Sequence, residues 1–188
     1  MKRSLLALTL LAALPFAASA TEGLSYNYVE GGYAGSTTEN NFGRDVDTDG
    51  FAIAGSGEIN HNFHLFGGFS SQEIDNTNVD FDQWRLGVGY NHQIGTRTDL
   101  ITGVAYQKFE SDYLDADGFS VEAGVRSSFS PMFEGFAVVG VEDYERSDND
   151  FYGKVGAQVR FSPNWGISGD VKFSDGDTQY FVGPRFTF

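Results

Sequence analysis

Cysteine is absent, proline occurs only four times, and the 12 basic residues are outnumbered by 26 acidic ones. No apolar run beyond Phe16 is long enough to form a membrane-crossing helix. The lack of cysteine removes disulfide staples, which a fold with complete backbone pairing does not need. Metal clusters built on thiols are excluded with them, and three histidines leave little else to build one from. A net charge of −14 argues against nucleic acid as a partner and in favour of cations or basic surfaces.

What is present favours strands. The chain has 24 Gly, 18 Phe and 9 Tyr, and strong helix formers are scarce. Residues 1–20 stand apart: Met1-Lys2-Arg3 is positive, Leu5 to Phe16 is apolar all round, and Ala18-Ser19-Ala20 has the small-residue cleavage pattern. This is the expected pattern of a cleaved signal peptide, leaving 21–188 as one mature domain. Cleavage takes Lys2 and Arg3 with it, so the net charge falls from −14 to −16.

From Leu24 a unit of about ten to twelve alternating residues followed by a turn recurs ten times. The predicted strands are 24–35, 50–60, 63–73, 81–94, 100–113, 119–130, 134–146, 151–162, 165–174 and 179–188. Tight connections (His61-Asn62, Gly95–Asp99, Pro131–Phe133, Pro163-Asn164) alternate with longer or more acidic ones. That asymmetry suits short periplasmic turns and external loops, and an even strand number returns both termini to the periplasm. The expected fold is all-β: a closed antiparallel transmembrane β-barrel of ten strands, or eight if the first two segments are misread. A soluble barrel of the lipocalin kind is the competing architecture. Clustering of Phe129, Phe133, Phe161 and Trp165 near one set of strand ends favours a membrane girdle.

The last strand places Tyr180, Val182, Pro184, Phe186 and Phe188 on one face and ends on an aromatic residue. This resembles the C-terminal signature by which the barrel-assembly machinery recognises outer-membrane proteins, with Phe186 and Phe188 as the assembly signal. The opening MKRSLLALTLLAALPFAASA, followed by Thr21-Glu22-Gly23-Leu24-Ser25-Tyr26-Asn27-Tyr28-Val29-Glu30-Gly31-Gly32-Tyr33, carries a closer likeness. It resembles the small xanthomonad outer-membrane barrels named as activators of a rice immune receptor (Ax-type), and more broadly barrels of the OmpA and OmpX kind. The resemblance implies an outer-membrane or vesicle-borne barrel and supplies no catalytic motif.

Polar faces of the strands turn Glu30, Glu58, Glu122, Glu142 and Asp170 inward with Arg85, Arg126, Lys154, Arg160, Lys172 and Arg185. The faces of the first, fifth and seventh strands are ambiguous, which leaves Glu30 and Glu142 least secure. Buried charges persist when paired, so a lumen closed by ion pairs is expected, with a narrow ion or small-solute channel as the alternative. Eighteen acids fall in or beside the external connections. Their default role is solvation, and their functional role would be binding divalent cations shared with lipopolysaccharide. Asp45-Val46-Asp47-Thr48-Asp49-Gly50 opens like a calcium loop, but its twelfth position is Ser56 and no helix follows. Low-affinity calcium at Asp45, Asp47 and Asp49 is the most this supports.

Enzyme readings fail on placement. An omptin-type protease needs a histidine at the external mouth, and His61, His64 and His92 map to the periplasmic end. A lipid A deacylase needs a Ser–His pair, whereas Ser70, Ser71 and His92 fall at opposite ends of neighbouring strands. The expected protein is a non-enzymatic outer-membrane barrel with a structural or surface-interaction role, whose partners are lipid and lipopolysaccharide.

Overall fold

The computed structural model describes residues 24–39, 45–74, 79–111, 115–145 and 149–188; the expected signal peptide lies outside them. Ten strands follow one another: β1 (Tyr28–Glu39), β2 (Asp45–Asn60), β3 (Phe63–Ile74), β4 (Asp80–Gly95), β5 (Thr98–Ser111), β6 (Asp115–Ser130), β7 (Phe133–Tyr144), β8 (Asp150–Arg160), β9 (Trp165–Ser174) and β10 (Asp177–Thr187). Each pairs antiparallel with its sequence neighbours, and β1 pairs with β10 to close the ring. The number is ten, not eight.

Side chains alternate between wall and lumen, in the inverse sense to a water-soluble protein. Phe51, Leu86, Val121, Val139, Phe151 and Ile167 are exposed on the outer wall, while Arg126, Glu134, Gln158 and Arg185 are buried inside. Each outer side chain left in water would forgo roughly 1.5–3 kcal/mol of burial. The outer wall therefore requires lipid, and the soluble-barrel alternative is discarded.

Two belts of aromatic residues bound the apolar wall. The periplasmic belt holds Phe63–Tyr90, Phe129–Phe133 and Trp165–Phe186, with ring centroids 5.0, 5.5 and 5.0 Å apart. The external belt holds Phe51–Phe69, Phe69–Trp84 and Tyr106–Phe119, at 6.0, 4.5 and 5.5 Å. Amphipathic rings settle at the two headgroup levels.

The strands extend beyond those belts. β2, β4 and β6 each run 16 residues, about 40 Å of height at a tilt of about 40°, against an apolar band of about 25 Å. Segments expected as acidic loops, among them 45–49 and 115–118, are thus paired strand. At the other end the first strand begins at Tyr28, later than its expected start, and Leu24–Asn27 belong to no strand. Register shifts between Glu58/Asn60, Gln93/Gly95 and Ser128/Ser130 precede three successive periplasmic turns, one bulge for each two-residue periplasmic connection.

Candidate functional site: the lumen charges and the external rim

Three tiers of charge cross the lumen. Nearest the periplasm, Glu134 of β7 is 2 % exposed and holds two guanidinium groups. Arg126 of β6 donates to it at 2.6 and 3.2 Å, and Arg160 of β8 pairs with its other oxygen. In the middle tier Glu30 and Arg185 stand opposite each other across the β1–β10 seam, 2.7 Å apart. Ser168 also donates to Glu30, and Arg185 lies 4.1 Å over the Tyr28 ring and donates to Gln158. At the same level Glu122 accepts from Arg85 of β4 at 2.8 Å and from the Tyr152 hydroxyl of β8 at 2.6 Å. Lys154 pairs with Asp170 at 3.3 Å. The external tier joins Lys172 to Glu142 at 2.6 Å, with Gln107 donating to the same carboxylate.

Glycine makes room for this packing. Tyr152 lies directly opposite Gly140, and a Cβ there would come within 2.5 Å of the tyrosine ring. The ring can therefore lean across the lumen far enough to reach Glu122.

The pairing differs from the sequence expectation at two residues. Glu58 is exposed at the periplasmic mouth, where it accepts from the Tyr26 amide at 3.2 Å and enters no ion pair among the described residues. Glu58 stands opposite His64 on β3, with its carboxylate engaged by the Tyr26 amide and not by a lumen base. Its place is taken by Glu134, which the alternating pattern of the seventh strand did not bring out because Phe136 and Val138 share its face. Glu30 and Glu142 both point inward. Five lumen carboxylates thus meet six lumen bases.

Among the described residues, spaces lie between the tiers. One of ≈ 260 Å³ occupies the external half, between small residues such as Ala34, Ala52 and Ser70 and the charged wall of Tyr152, Lys154 and Lys172. Another, of ≈ 150 Å³, lies toward the periplasm between Tyr26, Ser56, His64 and Arg126. Tyr28, Glu30, Phe66, Arg85, Lys154 and Asp170 border both and form the neck between them.

Outside, the external rim is acidic in an ordered way. By alternation Asp45, Asp47 and Asp49 share the outer face with Phe51, and Asp80 and Asp82 share it with Trp84. Register sets carboxylate opposite carboxylate on successive strands: Glu39 and Asp45, Asp49 and Glu73, Glu73 and Asp80, Asp82 and Glu110, Glu110 and Asp115. Lys108, paired with Glu110, is the one base in this band among the described residues. Asp75, Asp112 and Asp148 lie outside the described residues.

Asp45, Asp47 and Asp49 do not form a calcium loop. They sit at alternate positions of an extended strand, about 7 Å apart, and cannot converge on one ion held at about 2.3–2.6 Å. Thr37 donates to Asp47 across the β1–β2 ladder at 2.8 Å. Among the described residues no group of three or more His, Cys, Asp or Glu is arranged to hold a metal.

His61 lies in the β2–β3 turn, His64 begins β3 inside the lumen, and His92 stacks on Tyr90 near the end of β4. Ser70 pairs with Gln83, nine positions and about 30 Å along β4 from His92. The residues of a protease or deacylase are therefore not brought together. Phe186 and Phe188 stack at 6.3 Å on the periplasmic belt, and the Phe188 amide donates to the Asn27 carbonyl at 3.1 Å.

Solved structures similar to the chain include a KdgM porin in complex with disordered oligogalacturonate, at 12 % identity over 86 % of this chain and 98 % of that one, TM-score 0.47. The translocator domain of autotransporter NalP from Neisseria meningitidis matches at 14 % identity over 90 % of each chain, TM-score 0.49. The attachment invasion locus protein Ail of Yersinia pestis matches at 15 % over 87 % of this chain and all of its own, TM-score 0.44. No curated protein matches. A family model described as the outer membrane protein beta-barrel domain matches residues 4–183, and the chain belongs to that family.

Proposed function

We propose that this outer-membrane barrel keeps its lumen closed and works through its external rim, which binds the lipopolysaccharide layer through divalent cations. The supporting observation is the register of carboxylates on the outer face: five acid–acid pairs stand directly opposite one another just above the external aromatic belt. Like charges at opposed positions destabilise a ladder, and their cost falls when a shared cation neutralises them. Hard divalent ions prefer carboxylate and phosphate oxygens, and lipopolysaccharide phosphates lie at this height of an outer membrane. The likeness of the opening sequence to the small xanthomonad barrels fits this surface role. The stacked Phe186 and Phe188 fit a handover of the last strand to the barrel-assembly machinery by strand pairing.

Thermal unfolding in vesicles with and without lipopolysaccharide tests the rim. Magnesium should raise the midpoint only when lipopolysaccharide is present. The double substitution Asp82→Asn, Glu110→Gln should abolish most of that rise. Equal stabilisation in plain phosphatidylcholine would end the lipopolysaccharide assignment.

A narrow channel is the second reading, supported by the two lumen spaces meeting at one neck. Planar-bilayer recording separates the two: discrete openings that change with Glu122→Gln would favour conduction over closure.

A further inference from the structure

We propose that Leu24–Asn27 form a detachable strap across the periplasmic mouth, with Tyr26 as the stopper of the lumen. This concerns the mouth opposite the acidic rim, and its test uses neither lipopolysaccharide nor divalent ions, so it stands or falls separately.

The four residues precede β1 and leave the ladder, whose last contact is the Phe188 amide on the Asn27 carbonyl. From there the chain crosses the barrel. In a ring of ten strands β1 and β6 are diametrically opposed, yet Arg126 of β6 donates to the Ser25 carbonyl at 2.9 Å. Its guanidinium also lies 4.9 Å from the Tyr26 ring. The Tyr26 hydroxyl donates to Asp99 at the start of β5, 2.9 Å away. The ring stacks on His64 of β3 with centroids 4.6 Å apart. Backbone contacts with Glu58 of β2 complete the attachment: the Tyr26 amide donates to the Glu58 carboxylate and the Glu58 amide to the Asn27 side chain. One tyrosine, 5 % exposed, thus touches or is held by four strands around the mouth.

None of these contacts is a rung of the barrel. The strap can lift without opening any strand pair, whereas the neck above it is built from wall residues that cannot leave. Tyr26, His64 and Arg126 also border the ≈ 150 Å³ space. Lifting the strap therefore joins that space to the periplasm and leaves the external space unchanged. The periplasmic seal is movable, and the neck is fixed.

The chain has no cysteine, so single introduced thiols report access directly. Ser56→Cys places one behind the strap, where Ser56 is buried against the periplasmic space. Ser70→Cys places one in the external space as a reference. Labelling of refolded protein by a small water-soluble methanethiosulfonate should be slow at position 56. Tyr26→Ala should speed it at least tenfold and leave position 70 within twofold. If Tyr26→Ala fails to give the heat-modifiable folded band, Asp99→Ala takes its place; losing the hydroxyl's acceptor should give a severalfold rise at position 56. The strap is refuted if position 56 is already as reactive as position 70, if the substitution tested leaves it unchanged, or if both positions accelerate together.

Discussion

Two guanidinium groups converge on Glu134, a carboxylate almost without access to solvent. Taking it away would leave Arg126 buried and Arg160 half-buried without their carboxylate. Glu134→Gln should therefore cost about 3–5 kcal/mol, the range for breaking a buried pair, measured by denaturant unfolding in lipid vesicles. Glu58→Gln, at an exposed mouth position, should cost about 1 kcal/mol or less by the same measurement. These two residues also mark where the sequence became hard to read. Period-two alternation was enough to turn Arg85, Glu122, Lys154, Asp170 and Arg185 inward, because apolar residues fill the other face of their strands. On β7 apolar residues occupy both faces, and Glu134 was hidden among them; the signal left was its even spacing from Glu142 on the same strand. Glu58 has the inward parity, but parity carries no information about partners, and its carboxylate meets the Tyr26 amide at the exposed mouth.

At the level of elements the seam between β1 and β10 is a close-packed join, with glycine on both sides of it. A Cβ on Gly183 would meet the Gly31 carbonyl and lie 2.7 Å from Gly32 Cα, both of them backbone. Gly183→Val should block closure, seen as loss of the fast-migrating band before boiling on SDS gels. Gly153→Ala is the matched control: nothing lies within 4 Å of a Cβ there, and the folded band should persist. Strand number and order were legible because each hairpin repeats the same alternation. Strand ends were not. Apolar alternation stops where lipid stops, and acids disfavour strands in water, so the sequence suggests loops from 45 to 49 and from 115 to 118. Backbone pairing continues regardless, unbroken to Glu39 and Asp45 on β1–β2 and to Glu110 and Asp115 on β5–β6. The same feature turns the acidic rim from mobile loops into a fixed row of opposed carboxylates.

For the whole molecule, charge is sorted by position: nearly balanced within the lumen, absent from the lipid wall, and acidic at one rim. A ring with every strand paired on both sides has no edge from which to unravel. The folded barrel should accordingly survive SDS at room temperature and migrate differently from the boiled chain, and identical migration would count against a closed ring. Closure also sets an order of events. Nine of the ten ladders join strands adjacent in sequence, and the tenth joins Tyr28 to Thr187 and Thr38 to Asp177, the two ends of the domain. Contacts so distant along the chain are the slowest to form. During insertion the sheet must spend time as an open ribbon in which β1 and β10 have not yet met, and every copy passes through this intermediate, its edges open to other strands, before the ring closes.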